Sequence, residues 1–295
     1  MPEPPVTATL LISCRDQKGL VASVSDFLYR NNGNIIHADQ HTDTSTSLST
    51  GQEEGVFLQR VEWELRDFAV EREEIADTFR PIGERFGMSW SLRFSDYVPR
   101  IAVFVSKLPH CMYDLLARWR LGELRAEIPL AVSNHVDQRT IAEGFGVEYR
   151  HFEMTPESKA GQESRILKLL KEQRIDLIVL ARYMQVLSEA FVRRYPERII
   201  NIHHSFLPAF AGARPYHHAH ERGVKIIGAT AHYVTAELDQ GPIIDQDVVR
   251  VSHRDSVEDL VRKGRDLEKV VLARAVDLHL RNRIVVYGNK TVVFD

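Results

Sequence analysis

One predicted strand end in the second half of the chain carries side chains suited to attack on a carbonyl group. In Asn201-Ile202-His203, residues 201 and 203 project to the same side of the strand, whereas Ile202 points into the sheet. An amide N–H and an imidazolium N–H fixed side by side can hold the oxyanion that develops during such an attack. Asp239, after the next long strand, supplies a carboxylate that can orient the imidazole and favour its protonated form. Taken singly, Asn201 and Asp239 also fit ordinary turn positions.

Histidines are concentrated around this strand end, because seven of the 13 fall between residues 203 and 253. Such enrichment raises the question of a metal site. The spacing argues against one: no H-x-x-x-H pair with a glutamate occurs there, and no cysteine is near. On a helix, His217, His218 and His220 would point in different directions. The sequence therefore predicts a site without a metal.

The elements that must position these residues lie in the second of two predicted domains, residues 101–295. Short apolar runs alternate there with amphipathic segments, which predicts an α/β fold with a Rossmann-like, mostly parallel sheet. Ligands of such sheets bind beyond the carboxyl ends of the strands. Two later strands, near 225–234 and 243–251, are longer and more polar, so the sheet is expected to become mixed. A long helix near 256–280 and a hairpin over 285–294 complete the domain.

Residues 1–94 form the other predicted domain, and residues 95–100 a short linker. The hydrophobic pattern gives the order βαββαβ, which folds most simply as a ferredoxin-like sandwich with both helices on one face. The Ser/Thr/Gly-rich stretch 42–51 is expected to be a hairpin loop. Few catalytic groups occur in this domain, so binding or oligomerisation is the expected role.

The composition is that of a globular protein. Of 295 residues, 44% are hydrophobic and 27% charged, which excludes collagen-like, low-complexity and disordered chains. A net charge of −3 argues against binding to nucleic acid or a membrane surface. Cys14 and Cys111 are too few for a disulfide framework. Because neither a signal sequence nor an apolar run of ~20 residues is present, we expect a cytoplasmic protein.

The first domain resembles the ACT family of small-molecule-sensing domains. The resemblance rests on Asp16-Gln17-Lys18-Gly19-Leu20 after the first strand and on Asn32-Gly33-Asn34-Ile35 before the second. It implies a homo-oligomer and an amino-acid effector such as methionine or glycine. By the same resemblance, the effector would contact Asp16, Gly19, Leu20 and Asn34.

The second domain resembles the folate-dependent formyltransferase family over about 190 residues. The motifs, in order, are Asn201-x-His203, Ser205-x-Leu207-Pro208, Gly228-x-Thr230-x-His232-x-Val234 and Asp239-x-Gly241-x-Ile243. The resemblance implies that Asn201, His203 and Asp239 are the catalytic residues, with 10-formyltetrahydrofolate as substrate and no separate cofactor. It also implies a folate pocket formed by Met184, Gln185, Val186, Leu187, Ile199, Val234, Thr235, Ala236 and Glu237.

The segment after the first strand of this domain indicates the acceptor of the formyl group. Formyltransferases that act on glycinamide ribonucleotide have a glycine-containing phosphate loop there, whereas this chain has Ser106-Lys107-Leu108-Pro109-His110-Cys111. Without glycine, backbone amides cannot easily close around a phosphate at a helix start. A basic C-terminal extension of the kind found in tRNA-directed enzymes is not expected either. Water is then the expected acceptor.

Together with Ser133-Asn134-His135, His203-His204-Ser205-Phe206 and the segment 288–294, this loop resembles the formyltetrahydrofolate deformylases. The implied reaction is hydrolysis of 10-formyltetrahydrofolate to tetrahydrofolate and formate, which supplies formate for purine synthesis and balances the folate pool. Two alternatives stay open at this point. One is a formyltransferase that uses an unphosphorylated amine, and the other is a non-catalytic sensor of folate or amino acids.

Overall fold

The computed structural model describes residues 5–44, 55–207 and 215–294. It divides into two compact units. The first comprises residues up to Tyr97 together with Asn282–Tyr287 and Val292–Asp295, and the second comprises Val98–Arg281 with Gly288–Thr291. Among the described residues, no helix is both long and apolar enough to cross a membrane.

The first unit has the predicted order of elements and is an α/β sandwich of the ACT type. Its elements are β1 (Thr7–Arg15), α1 (Leu20–Arg30), β2 (Asn34–Asp43), β3 (Val56–Glu64), α2 (Ile75–Phe86) and β4 (Ser89–Phe94). The four antiparallel strands lie in the order β2-β3-β1-β4. Most of the predicted hairpin loop between β2 and β3 falls on residues 45–54, outside the described residues.

The two faces of this sheet are covered by different parts of the chain. Leu10 and Ile12 of β1 point towards the helices and share a core with Phe27 and Phe79. Because side chains alternate along a strand, the intervening Leu11 points to the opposite face. There it lies against a cluster built on Leu58, Val285 and Phe294. Asn282–Tyr287 and Val292–Asp295 thus group with the first unit, whereas the sequence-based prediction placed them in the domain 101–295.

The second unit is built on a seven-stranded sheet in the order β11-β10-β9-β8-β5-β6-β7. Its strands are β5 (Arg100–Val105), β6 (Glu127–Ser133), β7 (Glu148–His151), β8 (Leu177–Leu180), β9 (Ile199–His203), β10 (Ile226–Tyr233) and β11 (Ile243–Arg250). The five strands β5 to β9 run parallel, whereas β10 is antiparallel to both β9 and β11. The prediction of a mostly parallel sheet that becomes mixed is therefore confirmed.

Helices cover this sheet, and a hairpin ends the chain. The helices are α3 (His110–Arg120), α4 (Arg139–Gly144), α5 (Lys159–Glu172), α6 (Glu189–Val192), α7 (Pro215–Arg222) and α8 (Val257–Leu280), and the hairpin strands are β12 (Ile284–Tyr287) and β13 (Lys290–Val293). Residues 101–105 of β5 and all of β8 are buried, as expected for strands covered on both faces. The carboxyl ends of the neighbouring strands β5, β8 and β9 meet at one edge, which places Ser106, Arg182 and His203 close together.

Helix α8 carries one charged side chain on its buried face. The helix starts with a capping box in which Ser256 and Asp259 exchange hydrogen bonds. Glu268 is only 1% exposed, and its carboxylate accepts a hydrogen bond of 2.8 Å from the hydroxyl of Tyr216 on α7. One turn earlier, Gly264 leaves room for that hydroxyl, because a Cβ there would lie 2.0 Å from it.

Substitution of Gly264 by alanine is expected to destabilise the second unit. Because Tyr216 is buried and held by Glu268, it cannot move away freely, and overpacking of this kind costs about 1–3 kcal/mol. Gly161→Ala in α5 is the matched control, since a Cβ at Gly161 meets nothing within 4 Å and alanine favours a helix. Urea unfolding of the full chain followed by circular dichroism would measure both. Equal unfolding midpoints for the two variants would show that Tyr216 is not fixed by this contact.

Candidate active site

Asn201 and His203 lie at the carboxyl end of β9, on a strand held between β8 and β10. The register pairs His203 with Thr230 and Asn201 with His232, both on β10. The Asn201 Nδ2 atom lies 3.2 Å from Nε2 of His232. Strand pairing therefore fixes the amide of Asn201 against an imidazole that lies opposite it across the ladder.

His203 is buried and holds its two ring nitrogens in different environments. Its Nδ1 atom lies 3.2 Å from Oδ2 of Asp239. Its Nε2 atom is buried and has no hydrogen-bond partner among the described residues. A carboxylate on Nδ1 places the hydrogen of the neutral ring there and leaves Nε2 as the nitrogen that can act on a substrate.

The loop between β10 and β11 places the carboxylate of Asp239 next to two histidines, His203 and His232. Its backbone is left-handed, with φ of 55°, which aspartate tolerates better than most residues. Two residues later the loop passes so close to β10 that a Cβ on Gly241 would lie 1.8 Å from the carbonyl oxygen of Tyr233. Only glycine permits this approach. The loop conformation therefore sets where the carboxylate lies.

The carboxylate of Asp239 is shared between two imidazoles. Oδ2 faces His203, and Oδ1 lies 3.6 Å from Nε2 of His232. The imidazole of His203, and then that of His232, holds the pKa of the Asp239 carboxyl well below its usual range. Asp239 is thus an anion at neutral pH and a weak base.

His232 was not among the residues predicted to form the site, although it lies in the Gly228-x-Thr230-x-His232 motif. It is 2% exposed, and its Nδ1 atom lies 2.9 Å from the carbonyl oxygen of Tyr233. That contact places a hydrogen on Nδ1 and turns Nε2 towards Asn201 and Asp239. Antiparallel pairing of the strands at 199–203 and 226–233 would have identified it, but that register is not readable from the motif.

The predicted folate-binding loop after β8 is tied to the end of β5. The hydroxyl of Ser106 accepts a hydrogen bond of 2.9 Å from the backbone N–H of Met184 and donates one of 2.6 Å to Oδ1 of Asn134. The side chains of Met184 and Val186 are 62% and 55% exposed, whereas Leu187 packs partly against the core. The loop thus presents apolar side chains outwards on a fixed backbone.

The remaining predicted folate contacts fall into two groups. Ile199 is fully buried in the core, and its carbonyl accepts a hydrogen bond of 2.9 Å from the N–H of Val234. Its side chain therefore supports the fold, and only its backbone can contribute to a pocket. Val234 and Thr235 are partly buried, and Ala236 and Glu237 are exposed on the loop that leads to Asp239.

The predicted effector residues lie in the first unit and differ in exposure. Asp16, Gly19 and Asn34 are exposed, and Gly19 has φ of 94° at the start of α1. Leu20 is 2% exposed within the core, so its side chain stabilises the unit and is not accessible to a ligand.

One group of potential metal ligands comes together among the described residues: His110, Cys111 and Glu268, whose ligand atoms lie within 4.8 Å of one another. These groups are already engaged, because Nε2 of His110 lies 2.8 Å from Oε2 of Glu268 and Nε of Arg182 lies 3.5 Å from the same oxygen. Burial and the Glu268 charge raise the pKa of the Cys111 thiol well above its usual value, which disfavours the thiolate that binds metals. On α7, His217, His218 and His220 are exposed.

His204 lies between this cluster and the predicted catalytic residues. Its ring centroid is 5.2 Å from that of His203 and 6.1 Å from that of Tyr216. Burial, and then the charge of Arg182, lower the pKa of His204 from its ordinary value of 6.5 to about 4. The ring is therefore neutral at physiological pH.

Comparison with known proteins assigns the two units to the two families that their sequence motifs resemble. A formyl transferase family model matches residues 99–276, and an ACT domain model matches residues 8–58. The formyltetrahydrofolate deformylase of a Synechocystis species is 60% identical over 98% of this chain and 99% of that protein. The Bacillus subtilis enzyme of the same name is 46% identical over 97% of this chain and 93% of that protein.

Solved structures of proteins with related names also resemble this chain. The crystal structure of a formyltetrahydrofolate deformylase from Pseudomonas syringae has a TM-score of 0.93 and 45% identity, and covers 100% of this chain and 96% of that one. Glycinamide ribonucleotide transformylase 1 from Symbiobacterium toebii matches with a TM-score of 0.64 and 32% identity over 70% of this chain and 98% of that one.

The low pKa of His204 predicts a pH dependence of stability. Between pH 6.5 and about 4 the unfolded chain binds a proton at this residue that the native state does not bind. Stability contributed by the neutral ring is therefore present above pH 6.5 and is lost as the pH falls towards 4. In His204→Phe this part of the dependence is expected to be absent. Urea unfolding at pH 7, 6, 5 and 4 would give the free energy of unfolding of both proteins. If that free energy changed with pH in parallel in the two, the burial of a neutral imidazole at His204 would be contradicted.

Proposed function

The chain belongs to the family of formyltetrahydrofolate deformylases, and on that premise we propose that it hydrolyses 10-formyltetrahydrofolate to tetrahydrofolate and formate at Asn201, His203 and Asp239. One observation supports these residues above all. The Asp239 carboxylate holds Nδ1 of His203, while the other nitrogen of the ring has no partner among the described residues. Such a ring is held in one orientation, and in its protonated form it can donate from Nε2 to a substrate.

In the proposed mechanism, water attacks the formyl carbon and the carbonyl oxygen becomes an oxyanion. The amide of Asn201 and Nε2 of the His203 imidazolium donate hydrogen bonds to that oxyanion. Donors fixed in a buried site stabilise developing charge strongly, because they need no reorganisation when it forms. Asp239 keeps the imidazolium in place and balances its charge. Collapse of the intermediate expels the folate nitrogen after protonation, and formate leaves. No nucleophilic side chain and no separate cofactor are required.

The fixed loop after β8 is the proposed folate platform. The Ser106 hydrogen bond holds the backbone at Met184, so the loop can offer backbone groups and the exposed Met184 and Val186 side chains to the flat pteridine ring. Gln185, Leu187 and the segment 234–237, with the backbone of Ile199, complete the proposed pocket. In this arrangement the reacting formyl group lies beside the end of β9.

Water is favoured as the acceptor by the start of α3. The segment 106–109 contains no glycine, and the first helical residue, His110, lies 2.8 Å from the buried carboxylate of Glu268. A helix start normally attracts an anion. Here the protein supplies that anion itself, so a phosphorylated acceptor would meet negative charge. This supports hydrolysis over transfer to a phosphorylated amine.

The first unit is the proposed regulatory and oligomerisation module. An amino acid such as methionine or glycine is the proposed effector, with Asp16, Gly19 and Asn34 near it. Ile35 and Ile36 on the outer strand β2 are 40% and 48% exposed, which supports association with a second copy into a homo-oligomer. Nucleic acid and membranes are not expected partners, and the cytoplasm is the proposed compartment.

Formate release is the direct test of the proposed reaction. The purified full chain incubated with 10-formyltetrahydrofolate, without any amine, is expected to release formate and tetrahydrofolate in equal amounts. A formate dehydrogenase assay and the absorbance change of the folate would measure the two products. The His203→Asn variant controls for contaminating enzymes. Turnover that requires an added amine would establish a transferase, and binding without turnover would establish a sensor.

Replacement of Asp239 by asparagine is expected to lower kcat by about 10²- to 10⁴-fold, the range attributed to a positioned proton-transfer system. The fold should persist, because asparagine also adopts the left-handed conformation. Asp266→Asn, whose side chain is 67% exposed on α8, is the matched control for loss of a carboxylate. Steady-state kinetics and thermal unfolding would be measured for both. A rate near that of the unchanged protein would remove Asp239 from the mechanism.

A further inference from the structure

The three proposed catalytic residues stabilise charge but leave one proton without an acceptor. Water that attacks a carbonyl must lose a proton to become a hydroxyl group on carbon. Asn201 carries no basic group. Asp239 has one carboxylate oxygen on His203 and the other facing His232, and its pKa is held well below the usual range. His203 is assigned as a donor to the oxyanion, so a further group must take this proton.

His204 lies beside the proposed donor, His203. It directly follows His203, and the two rings are 5.2 Å apart between centroids with 38° between their planes. The ring is partly buried, so it lies at the boundary of the site and not in the core. Neither of its nitrogens forms a hydrogen bond with any residue in the part of the chain that the structure describes.

The surroundings of His204 keep its lone pair free. In the described part of the chain, charged or titratable groups face it from five places: Arg182 after β8, His203 on β9, Tyr216 on α7, Asp239 after β10 and Glu268 on α8. Burial and the cation of Arg182 disfavour a proton on the ring. The two nearby carboxylates do not bind it, because Asp239 is held by histidines and Glu268 by His110 and Tyr216. The ring is consequently neutral at pH 7 but more basic than Asp239.

We propose that His204 is a further catalytic residue, the base that accepts the proton of the attacking water; this rests on the proposed hydrolysis. The water oxygen forms the C–O bond while one of its protons passes to His204 and the carbonyl electron pair moves onto oxygen. Return of that pair breaks the C–N bond, and the folate nitrogen takes a proton from the His203 imidazolium. The products are tetrahydrofolate and formic acid. Two protons then remain, one on His204 and one on formic acid. One of them returns His203 to its imidazolium form, and the other is released to solvent.

A purely structural role for His204 is less consistent with its contacts. A buried histidine that stabilises a fold uses its nitrogens in hydrogen bonds. His204 contacts the rings of His203 and Tyr216, which a phenylalanine would satisfy equally well. Among the residues that the structure describes, its nitrogens have no structural use, which supports a role in the reaction.

The decisive variant is His204→Phe, which keeps an aromatic ring in the same contacts but removes both nitrogens. We expect kcat for formate release at pH 7 to fall at least 100-fold, with KM changed less than threefold and an unchanged circular dichroism spectrum. For His204→Ala we expect an equal fall in kcat. Added imidazole should restore at least a tenth of the lost rate, because it can enter the space that the missing side chain leaves. His218→Ala, on the exposed side of α7, is the matched control and should retain the full rate.

Two outcomes would overturn the proposal. One is a His204→Phe variant within threefold of the unchanged protein. The other is a loss in His204→Ala that imidazole does not restore. Failure of the proposed function itself is distinguishable, because the unchanged protein would then release no formate.

Discussion

The contact between Asp239 and His203 is the interaction on which the site depends. An imidazole at a strand end can adopt two tautomers and several orientations, and a carboxylate on Nδ1 selects one of each. That carboxylate comes from a loop 36 residues further along the chain. Its position is set by a left-handed backbone at Asp239 and by the close passage of Gly241 along β10. The conformation of one loop thus controls which ring nitrogen of His203 is held by the carboxylate and which is left for the proposed substrate.

The mixed sheet makes this convergence possible. Because β10 is antiparallel, its pairing places His232 directly across from Asn201, and the loop after β10 returns Asp239 to His203. The sequence pattern predicts that the late strands are longer and more polar and that the sheet becomes mixed there. These are the strands that bring His232 and Asp239 next to Asn201 and His203.

A second buried carboxylate shapes the other side of the site. Taking Glu268 out of water costs several kcal/mol. Burial raises the pKa of Glu268, but the hydrogen bond from His110 and the charge of Arg182 outweigh it and lower the pKa overall. Gly264 admits the Tyr216 hydroxyl that completes the set. These groups place protein charge at the start of α3, which supports water over a phosphorylated molecule as the proposed acceptor.

The sequence by itself determined the order of elements and both domain types, and it led to the prediction of Asn201, His203 and Asp239 as site residues, because hydrophobic periodicity and short motifs are local properties of a chain. It did not reveal His232, the Glu268 cluster, the neutral state of His204 or the grouping of the C-terminal segment with the first unit. Each of these depends on residues far apart in sequence and on their burial. Strand register, the close approach of backbone segments and the desolvation of charges arise only when the chain is packed, and they decided which nitrogens face the site.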